Sequence, residues 1–171
     1  GGCRLLDSEF AGENAAAMTE RLLALVENCV DRRVLVIGDL IADEFIYGAV
    51  SRVSREAPVL ILKYDTTEVV AGGAGNAANN VAALGGRPTI AGLAGNDPEG
   101  RRMLAAFPAI VDRRLVVRSP QYRTPVKTRI LAGGIHSAKQ QVVRIDRETG
   151  WPLDAQLSRA FARKLTPALA E

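Results

Sequence analysis

Apolar residues recur along the chain at two spacings, one typical of helices and one typical of strands. From Met18 to Val30 the spacing is helical, which predicts an amphipathic helix over residues 19–30. Residues 34–37 form an unbroken apolar run that ends at Gly38, a pattern typical of a buried parallel strand. The chain therefore opens with a helix that is followed by a core strand.

The stretch from residue 44 to residue 71 has shorter apolar segments, interrupted by the polar residues 51–58. Alternating apolar and polar positions predict short strands at residues 45–50, 59–63 and 67–71. Three strands before a second helix are unusual for a simple alternating fold. We expect them to form a small sheet inserted as a flap beside the main domain.

After residue 71 the pattern alternates between strands and helices, which predicts an α/β layered domain. Asp97 followed by Pro98 is a favourable helix start, and Gly85-Gly86 is a favourable helix end. The predicted helices cover residues 76–84, a segment from residue 97, and residues 154–165; the predicted strands cover residues 89–94, 115–117, 126–132 and 141–145.

The composition excludes several classes of protein. With 171 residues, 47% hydrophobic and 24% charged, the chain is long enough for one globular domain. No apolar run approaches the roughly 20 residues that cross a bilayer, so we expect no membrane partner. A net charge of +3 without a basic stripe argues against nucleic acid. Two cysteines and one histidine argue against a metal site and favour a cytoplasmic protein.

Glycines are concentrated in residues 71–86, at the start of a predicted helix. Such a loop lets a ligand approach the backbone and the free N–H groups of the helix. Residues 73–78 match the dinucleotide pattern GxGxxA, but Asp97, at the distance of a ribose ligand, has the setting of a helix cap. A P-loop is excluded because Arg101-Arg102 occupy the positions of Lys and Ser/Thr.

Four segments together resemble the amino-terminal half of the ribokinase-like carbohydrate kinases, the PfkB family. They are VIGDLIAD at residues 36–43, SRVSREAPV at 51–59, GGAGN at 72–76 and QQVVRIDRE at 140–148. The resemblance covers residues 33–148, and the flap and QQ segments are similar to those of the D-glycero-β-D-manno-heptose-7-phosphate kinases, the kinase part of a bifunctional heptose enzyme. It implies a ribokinase-like layered αβα fold whose β-sheet flap, a lid formed by residues 44–71 and 125–145, closes over the sugar.

The resemblance also implies an activity. Such a kinase transfers the ATP γ-phosphate, with Mg²⁺, to the anomeric hydroxyl of a heptose 7-phosphate, in lipopolysaccharide precursor synthesis. A small sugar phosphate is the expected partner, together with a second subunit bound through the lid in a homodimer. Residues 1–17 are expected to be a leader without assigned function, and residues 18–171 the amino-terminal part of the kinase domain.

The resemblance assigns roles to particular residues. Carboxylates and amides recognise sugar hydroxyls, whereas a 7-phosphate requires cations such as those that alternate along residues 126–132. Arg144 and Asp146 share a strand face and form either a ligand clamp or a structural ion pair. The expected substrate-binding residues are Asp39, Asp43, Gly72, Gly73, Asn76, Lys127, Arg129, Gln141, Arg144 and Asp146, and the expected lid residues are Arg52, Ser54 and Glu56.

Two departures from the family pattern limit this hypothesis. Residues 133–139 look like an insertion, so we expect His136 to be a loop residue and not a catalytic base. The Asp-Thr-x-Gly-Ala-Gly-Asp motif with the family's general base does not occur. The catalytic aspartate and most of the ATP site are therefore expected beyond Glu171, and the chain alone is expected to be inactive. The alternatives are another PfkB sugar or nucleoside kinase and a non-catalytic sugar-binding module.

Overall fold

The computed structural model describes residues 6–133, 138–148 and 154–169, and of residues 6–14 and Ala16 it describes the backbone only. Helices and strands follow one another through these residues as a mixed α/β fold. The helices are α1 Leu6–Glu27, α2 Ala74–Ala83, α3 Pro98–Ala105 and α4 Ala155–Leu165, followed by a 3-10 helix at Thr166–Leu169. The strands are β1 Arg33–Ile37, β2 Leu40–Val53, β3 Leu60–Gly73, β4 Arg87–Gly95, β5 Asp112–Ser119, β6 Val126–Gly133 and β7 Gln140–Arg147.

Three strands form a parallel sheet in the order β1-β4-β5. Ile90 and Ala94 of the central strand β4 are fully buried, together with Ala78 of α2 and Met103 of α3. Helix α4 lies against β5, where Lys164 Nζ donates a hydrogen bond to the Val116 carbonyl at 2.8 Å. This arrangement confirms the predicted α/β layered architecture, because helices cover a parallel sheet around one apolar core.

The remaining strands form a second sheet in the order β3-β2-β6-β7. Strand β2 runs antiparallel to β3 and parallel to β6, and β7 runs antiparallel to β6. The prediction of three short strands between residues 44 and 71 was wrong, since two strands of 14 residues cover this stretch. Polar residues interrupt the apolar pattern where the sheet is exposed. The strands nevertheless continue through these residues, because shifts in the pairing register after Tyr47 and Val50 accommodate the break in alternation.

The first helix and first strand also differ from the sequence-based prediction. Helix α1 begins at Leu6 and ends at Glu27, so it is longer at its start and shorter at its end than residues 19–30. Strand β1 is parallel, as predicted, but among the described strands it pairs with β4 only. Its side chains are half-buried or exposed because that edge of the sheet is open. The division of the chain at Met18 lies within α1 and stays a prediction.

The second sheet has a buried root and an exposed tip. At its root, Leu40, Ala42, Ala71 and Val126 belong to the core that includes α3. At its tip, strands β2 and β3 project beyond the core, and most of their residues past Gly48 are exposed. An exposed sheet rooted in the core has the shape expected of a lid, but its role as a lid stays a prediction.

His136 and the rest of residues 134–137, in the predicted insertion, lie outside the described residues. Within the described part of the chain, no helix combines the length and apolar character needed to cross a membrane.

Candidate functional site

The glycine loop lies where the two sheets meet. Strand β1 ends at Ile37, and after Gly38 and Asp39 the chain enters β2 in the other sheet. The Asp39 carbonyl accepts a hydrogen bond from the Ala74 amide at 2.9 Å, which joins this crossover to the start of α2. Gly73 has a φ of +60°, and a Cβ there would lie 2.5 Å from the same carbonyl oxygen. Only glycine can therefore occupy position 73 without displacing the backbone.

Asp43 is directed from β2 towards this loop. Its carboxylate Oδ2 lies over Gly72, where an added Cβ would overlap it. Its Oδ1 forms an ion pair with Arg129 Nη1 of β6 at 2.7 Å. The side chain is 19% exposed, so the carboxylate is mostly shielded and yet reachable from the loop. One oxygen is therefore paired inside the sheet, and the other faces the glycine loop.

Arg129 is held by two neighbours on β2. Besides its ion pair with Asp43, its guanidinium lies over the ring of Phe45, 5.2 Å from the ring centroid. Phe45 and Arg129 are directly opposed in register, which places them on the same face of the sheet. The guanidinium is 24% exposed, and a cation between a carboxylate and an aromatic face has a restricted set of positions.

Lys127 occupies the position between two carboxylates. It lies opposite Asp43 on one side and opposite Asp146 of β7 on the other. Asp146 forms a bidentate ion pair with Arg144, at 2.9 Å from Nε and 3.1 Å from Nη2. The Lys127 side chain forms no ion pair or hydrogen bond with any other residue that the structure describes. The Lys127 side chain is thus free of protein partners among the described residues, whereas Arg144 and Asp146 bind each other, and their role as a ligand clamp or a structural pair stays a prediction.

The start of α2 adds further groups to the same junction. Its N-cap, Gly73, has no side chain that could satisfy the first N–H groups, and the first turn contains no acidic residue. Asn76 is exposed in that turn, and Asp39 is exposed at the end of the crossover. The structure therefore brings Asp39, Asp43, Gly72, Gly73, Asn76, Lys127 and Arg129 to one junction of strands and helix.

The predicted lid residues lie elsewhere. Arg52 is nine residues beyond Asp43 on the same strand, a distance of about 30 Å at the usual rise per residue. Ser54 and Glu56 belong to the turn at the tip, where the Glu56 amide donates to Ser54 Oγ at 3.2 Å. Gln141, which was predicted to bind the substrate, lies five residues from Asp146 on β7 and is exposed. These residues do not reach the junction in this arrangement of the sheet.

A network around Glu44 was missed by the sequence analysis. Glu44 is 8% exposed and lies on the face of β2 opposite to Asp43. Its Oε2 accepts hydrogen bonds from Thr128 Oγ1 at 2.8 Å and Arg147 Nη2 at 3.1 Å, and its Oε1 pairs with Arg102 Nη2 at 3.4 Å. The network joins β2, β6 and β7 to α3. Asp43 and Glu44 are adjacent carboxylates, and strand alternation places such neighbours on opposite faces of a sheet. This pattern in the sequence could have identified the network around Glu44.

Asp97 has a structural role and does not serve a dinucleotide. Its Oδ1 accepts the Gly100 amide at 2.7 Å, and its Oδ2 accepts the Thr124 amide at 2.8 Å. Burial by itself would raise the pKa of Asp97, but these bonds, the Thr124 hydroxyl and the charge of Arg123 together lower the pKa below 3.8. The glycine loop also follows an antiparallel strand, which excludes the opening βαβ unit of a dinucleotide fold.

An open cavity of about 390 Å³ lies at the opposite end of the parallel sheet, at the amino-terminal ends of its strands. Arg87 there pairs with Asp31 at 2.7 Å, and Arg114 pairs with Asp112 at 3.0 Å. Because these charges are matched within the protein, the cavity is a poorer candidate for an anionic substrate than the glycine-loop junction. Among the residues described, no three His, Cys, Asp or Glu side chains are grouped to hold a metal ion.

Comparisons with known proteins show the family of this chain. Residues 31–157 match the family model described as pfkB family carbohydrate kinase. The chain is 45% identical over 133 residues to the bifunctional protein HldE of Geobacter metallireducens, covering 77% of this chain and 26% of that protein. It is 41% identical over 154 residues to the bifunctional protein HldE of Caulobacter vibrioides, covering 88% of this chain and 31% of that protein. The chain thus spans about a quarter to a third of the length of these relatives.

Solved structures show the same fold. A carbohydrate kinase from Agrobacterium tumefaciens superposes with a TM-score of 0.50 at 26% identity, over 78% of this chain and 39% of that chain. Phosphofructokinase-2 from Escherichia coli, in complex with substrates and products, superposes with a TM-score of 0.54 at 17% identity, over 81% of this chain and 41% of that chain. These similarities confirm the predicted ribokinase-like fold class. The chain belongs to the pfkB family of carbohydrate kinases.

Proposed function

We propose that the complete polypeptide containing this chain is an ATP-dependent sugar-phosphate kinase that acts on D-glycero-D-manno-heptose 7-phosphate. In this proposal the anomeric hydroxyl accepts the γ-phosphate, and the product enters lipopolysaccharide precursor synthesis. Residues 18–171 supply the sugar-binding side of the site. Membership of the pfkB family and the similarity to bifunctional HldE proteins support this proposal.

The observation that carries the proposal is the position of Asp43. Its Oδ2 faces Gly72 beside the start of α2, where the backbone can approach a ligand closely. A carboxylate accepts hydrogen bonds from adjacent sugar hydroxyls, and the exposed Asn76 amide can donate and accept in the same space. Asp43 would thus orient the sugar, with Gly73 and Asp39 at the edge of the same junction.

Lys127 is proposed to recognise the 7-phosphate. Its side chain has no ion pair or hydrogen bond with another described residue, and it lies directly opposite Asp43. An ammonium is a compact charge with three donors, which suits a phosphate that approaches from more than one direction.

ATP and Mg²⁺ are implied by the family. Among the described residues, no three His, Cys, Asp or Glu side chains are grouped to hold a metal ion. The general base and most of the nucleotide site are proposed to belong to the part of the relatives' length that this chain does not span. This chain binds and orients the sugar, and the second sheet is proposed to exclude water as a lid.

The direct test is an ATP-dependent phosphorylation assay of the complete polypeptide. We expect turnover with D-glycero-D-manno-heptose 7-phosphate, measured as ADP release and as formation of a 1,7-bisphosphate by mass spectrometry. Ribose, fructose 6-phosphate and a nucleoside serve as competing substrates. Asp43→Ala is expected to lower kcat/KM at least about tenfold, the loss of one hydrogen bond from a charged group.

Other results of this assay would assign a different function to the chain. Faster turnover of ribose, fructose 6-phosphate or the nucleoside would assign the chain to another kinase of the family. Sugar binding without any ATP turnover would favour a non-catalytic sugar-binding module.

Asp43→Lys and the exposed Lys63→Glu form a test and its control, because only Asp43→Lys is expected to affect sugar binding.

A further inference from the structure

We infer that Arg129 is a positioning residue for Asp43, and that Lys127 alone of these two cations binds the phosphate of the substrate. This inference deepens the proposed function and rests on it. The sequence pattern places Lys127 and Arg129 on one strand face and makes them equivalent candidates for an anionic group. Their surroundings in the structure are different.

Arg129 is already occupied by the protein. Its Nη1 donates to Asp43 Oδ1 at 2.7 Å, and its guanidinium covers the Phe45 ring at 5.2 Å. Both partners of the ion pair are less than a quarter exposed, so the pair is shielded from solvent. To approach a phosphate fully, Arg129 would have to leave a mostly buried carboxylate without its counter-charge, which is unfavourable.

The same contacts give Arg129 a function in sugar recognition. With Oδ1 held by Arg129, the second oxygen of Asp43 is directed over Gly72 and towards the glycine loop. Phe45 limits the movement of the guanidinium, and the guanidinium in turn limits rotation of the carboxylate. Arg129 therefore acts on the sugar through Asp43, and its removal should matter only while Asp43 is present.

Lys127 has no comparable restraint. Its side chain has no ion pair or hydrogen bond with the described residues, and its two neighbours in register are Asp43 and Asp146. Asp146 is engaged by Arg144 through both oxygens. A phosphate placed over Lys127 would gain a cation without breaking an ion pair of the protein.

The experiment is a double-mutant cycle in which titration calorimetry measures the binding of D-glycero-D-manno-heptose 7-phosphate by the complete polypeptide. Arg129→Gln and Lys127→Gln are each measured alone and together with Asp43→Asn. We expect Arg129→Gln to weaken binding about tenfold when Asp43 is intact and less than about twofold together with Asp43→Asn. We expect Lys127→Gln to weaken binding by the same factor in both cases.

A matched control is Lys63→Gln, which changes an exposed lysine of the same sheet that has no role in the proposed site. An equal effect of Arg129→Gln with and without Asp43→Asn would overturn the inference and assign Arg129 to the phosphate. Unphosphorylated heptose gives a second readout, because Arg129→Gln should weaken its binding by the same factor and Lys127→Gln should leave it unchanged. Preferential loss of the phosphorylated sugar in Arg129→Gln would also overturn the inference.

If the wild-type protein bound no sugar, the proposed function would be refuted. That result alone would not refute the coupling between Asp43 and Arg129. In that case the same variants are compared by their thermal unfolding midpoints, where Asp43→Asn and Arg129→Gln should give shifts that do not add. Additive shifts would show that the two side chains do not act together, and the inference would fail on that ground alone.

Discussion

At the scale of single residues, two adjacent carboxylates on β2 serve opposite faces of one sheet. Asp43 faces the glycine loop and pairs with Arg129, whereas Glu44 is buried against α3 and is bound by Thr128 and Arg147. Strand alternation alone produces this division, since successive side chains point to opposite faces. The face of Asp43 is proposed to bind the ligand, and the face of Glu44 holds the sheet in place.

The substitution Gly72→Ala tests the position of the Asp43 carboxylate by adding a single carbon atom. Gly72→Ala adds a Cβ at a position that Asp43 Oδ2 already occupies, so the carboxylate must turn away from the loop. We expect binding of heptose 7-phosphate to weaken about tenfold or more, on the scale of a lost hydrogen bond to a charged group. Titration calorimetry with the complete polypeptide measures the effect.

Gly48→Ala is the matched control for Gly72→Ala. Gly48 is buried in the same strand pair as Asp43, but an added Cβ would meet the Lys63 carbonyl at 3.1 Å and no charged group. It should disturb the sheet without altering sugar affinity. Unchanged affinity in Gly72→Ala, with the fold retained by circular dichroism, would contradict the proposed role of the Asp43 carboxylate.

At the scale of elements, Asp97 joins the start of α3 to the segment that leads into β6. It caps α3 through the Gly100 amide and accepts the Thr124 amide, while the Gly95 amide donates to Thr124 Oγ1 at 2.9 Å. One carboxylate thereby links the parallel sheet to a strand of the second sheet. The pKa of Asp97 is lowered by the net effect of these bonds, which means that the folded protein prefers the ionised form.

We expect Asp97→Asn to lower the free energy of unfolding of the chain by about 1 kcal/mol at neutral pH, because an amide keeps only part of the carboxylate's acceptors. A lowered pKa contributes stability above the unfolded value, near 3.8, and that contribution disappears as pH falls through the folded pKa. Urea unfolding of wild type and variant should therefore give stabilities that draw together as pH falls below 3.8. A difference that does not depend on pH would contradict this assignment.

Asp65→Asn is the control for Asp97→Asn. It removes an exposed carboxylate that pairs with Lys139 at 2.6 Å and is 59% exposed. Surface pairs of this kind contribute little, so the change should stay within about 0.5 kcal/mol at every pH.

The elements differ in how far the sequence could predict them. The cap at Asp97 and the end of α2 at Gly85 depend on neighbouring residues, and both were predicted correctly. The long strands β2 and β3 were not predicted, because bulges and exposed polar positions interrupt the pattern where no core is present. The pairing of Arg129 with Asp43, 86 residues apart, depends on strand register across the sheet, which local spacing does not contain.

At the scale of the whole molecule, the core lies at the junction of the two sheets, and away from it several apolar side chains of the described residues are exposed. Strand β1 pairs on one side only among the described strands, and Ile37 at its end is 48% exposed. The tip of the second sheet also exposes Val53 and Leu60, which are opposed in register, and Tyr64. Apolar patches at sheet edges favour association with another protein surface.

We propose that this tip, formed by Val53, Leu60 and Tyr64, is where two copies of the protein associate. Leu60→Glu would place a charge in the apolar patch, so we expect it to convert a dimer of the complete polypeptide into a monomer in sedimentation velocity experiments. Ile110→Glu is the matched control, since Ile110 is 48% exposed against 49% for Leu60 and lies in the loop between α3 and β5. It should leave the dimer intact. A monomeric wild-type protein, or equal effects of the two substitutions, would show that the tip does not hold two subunits together.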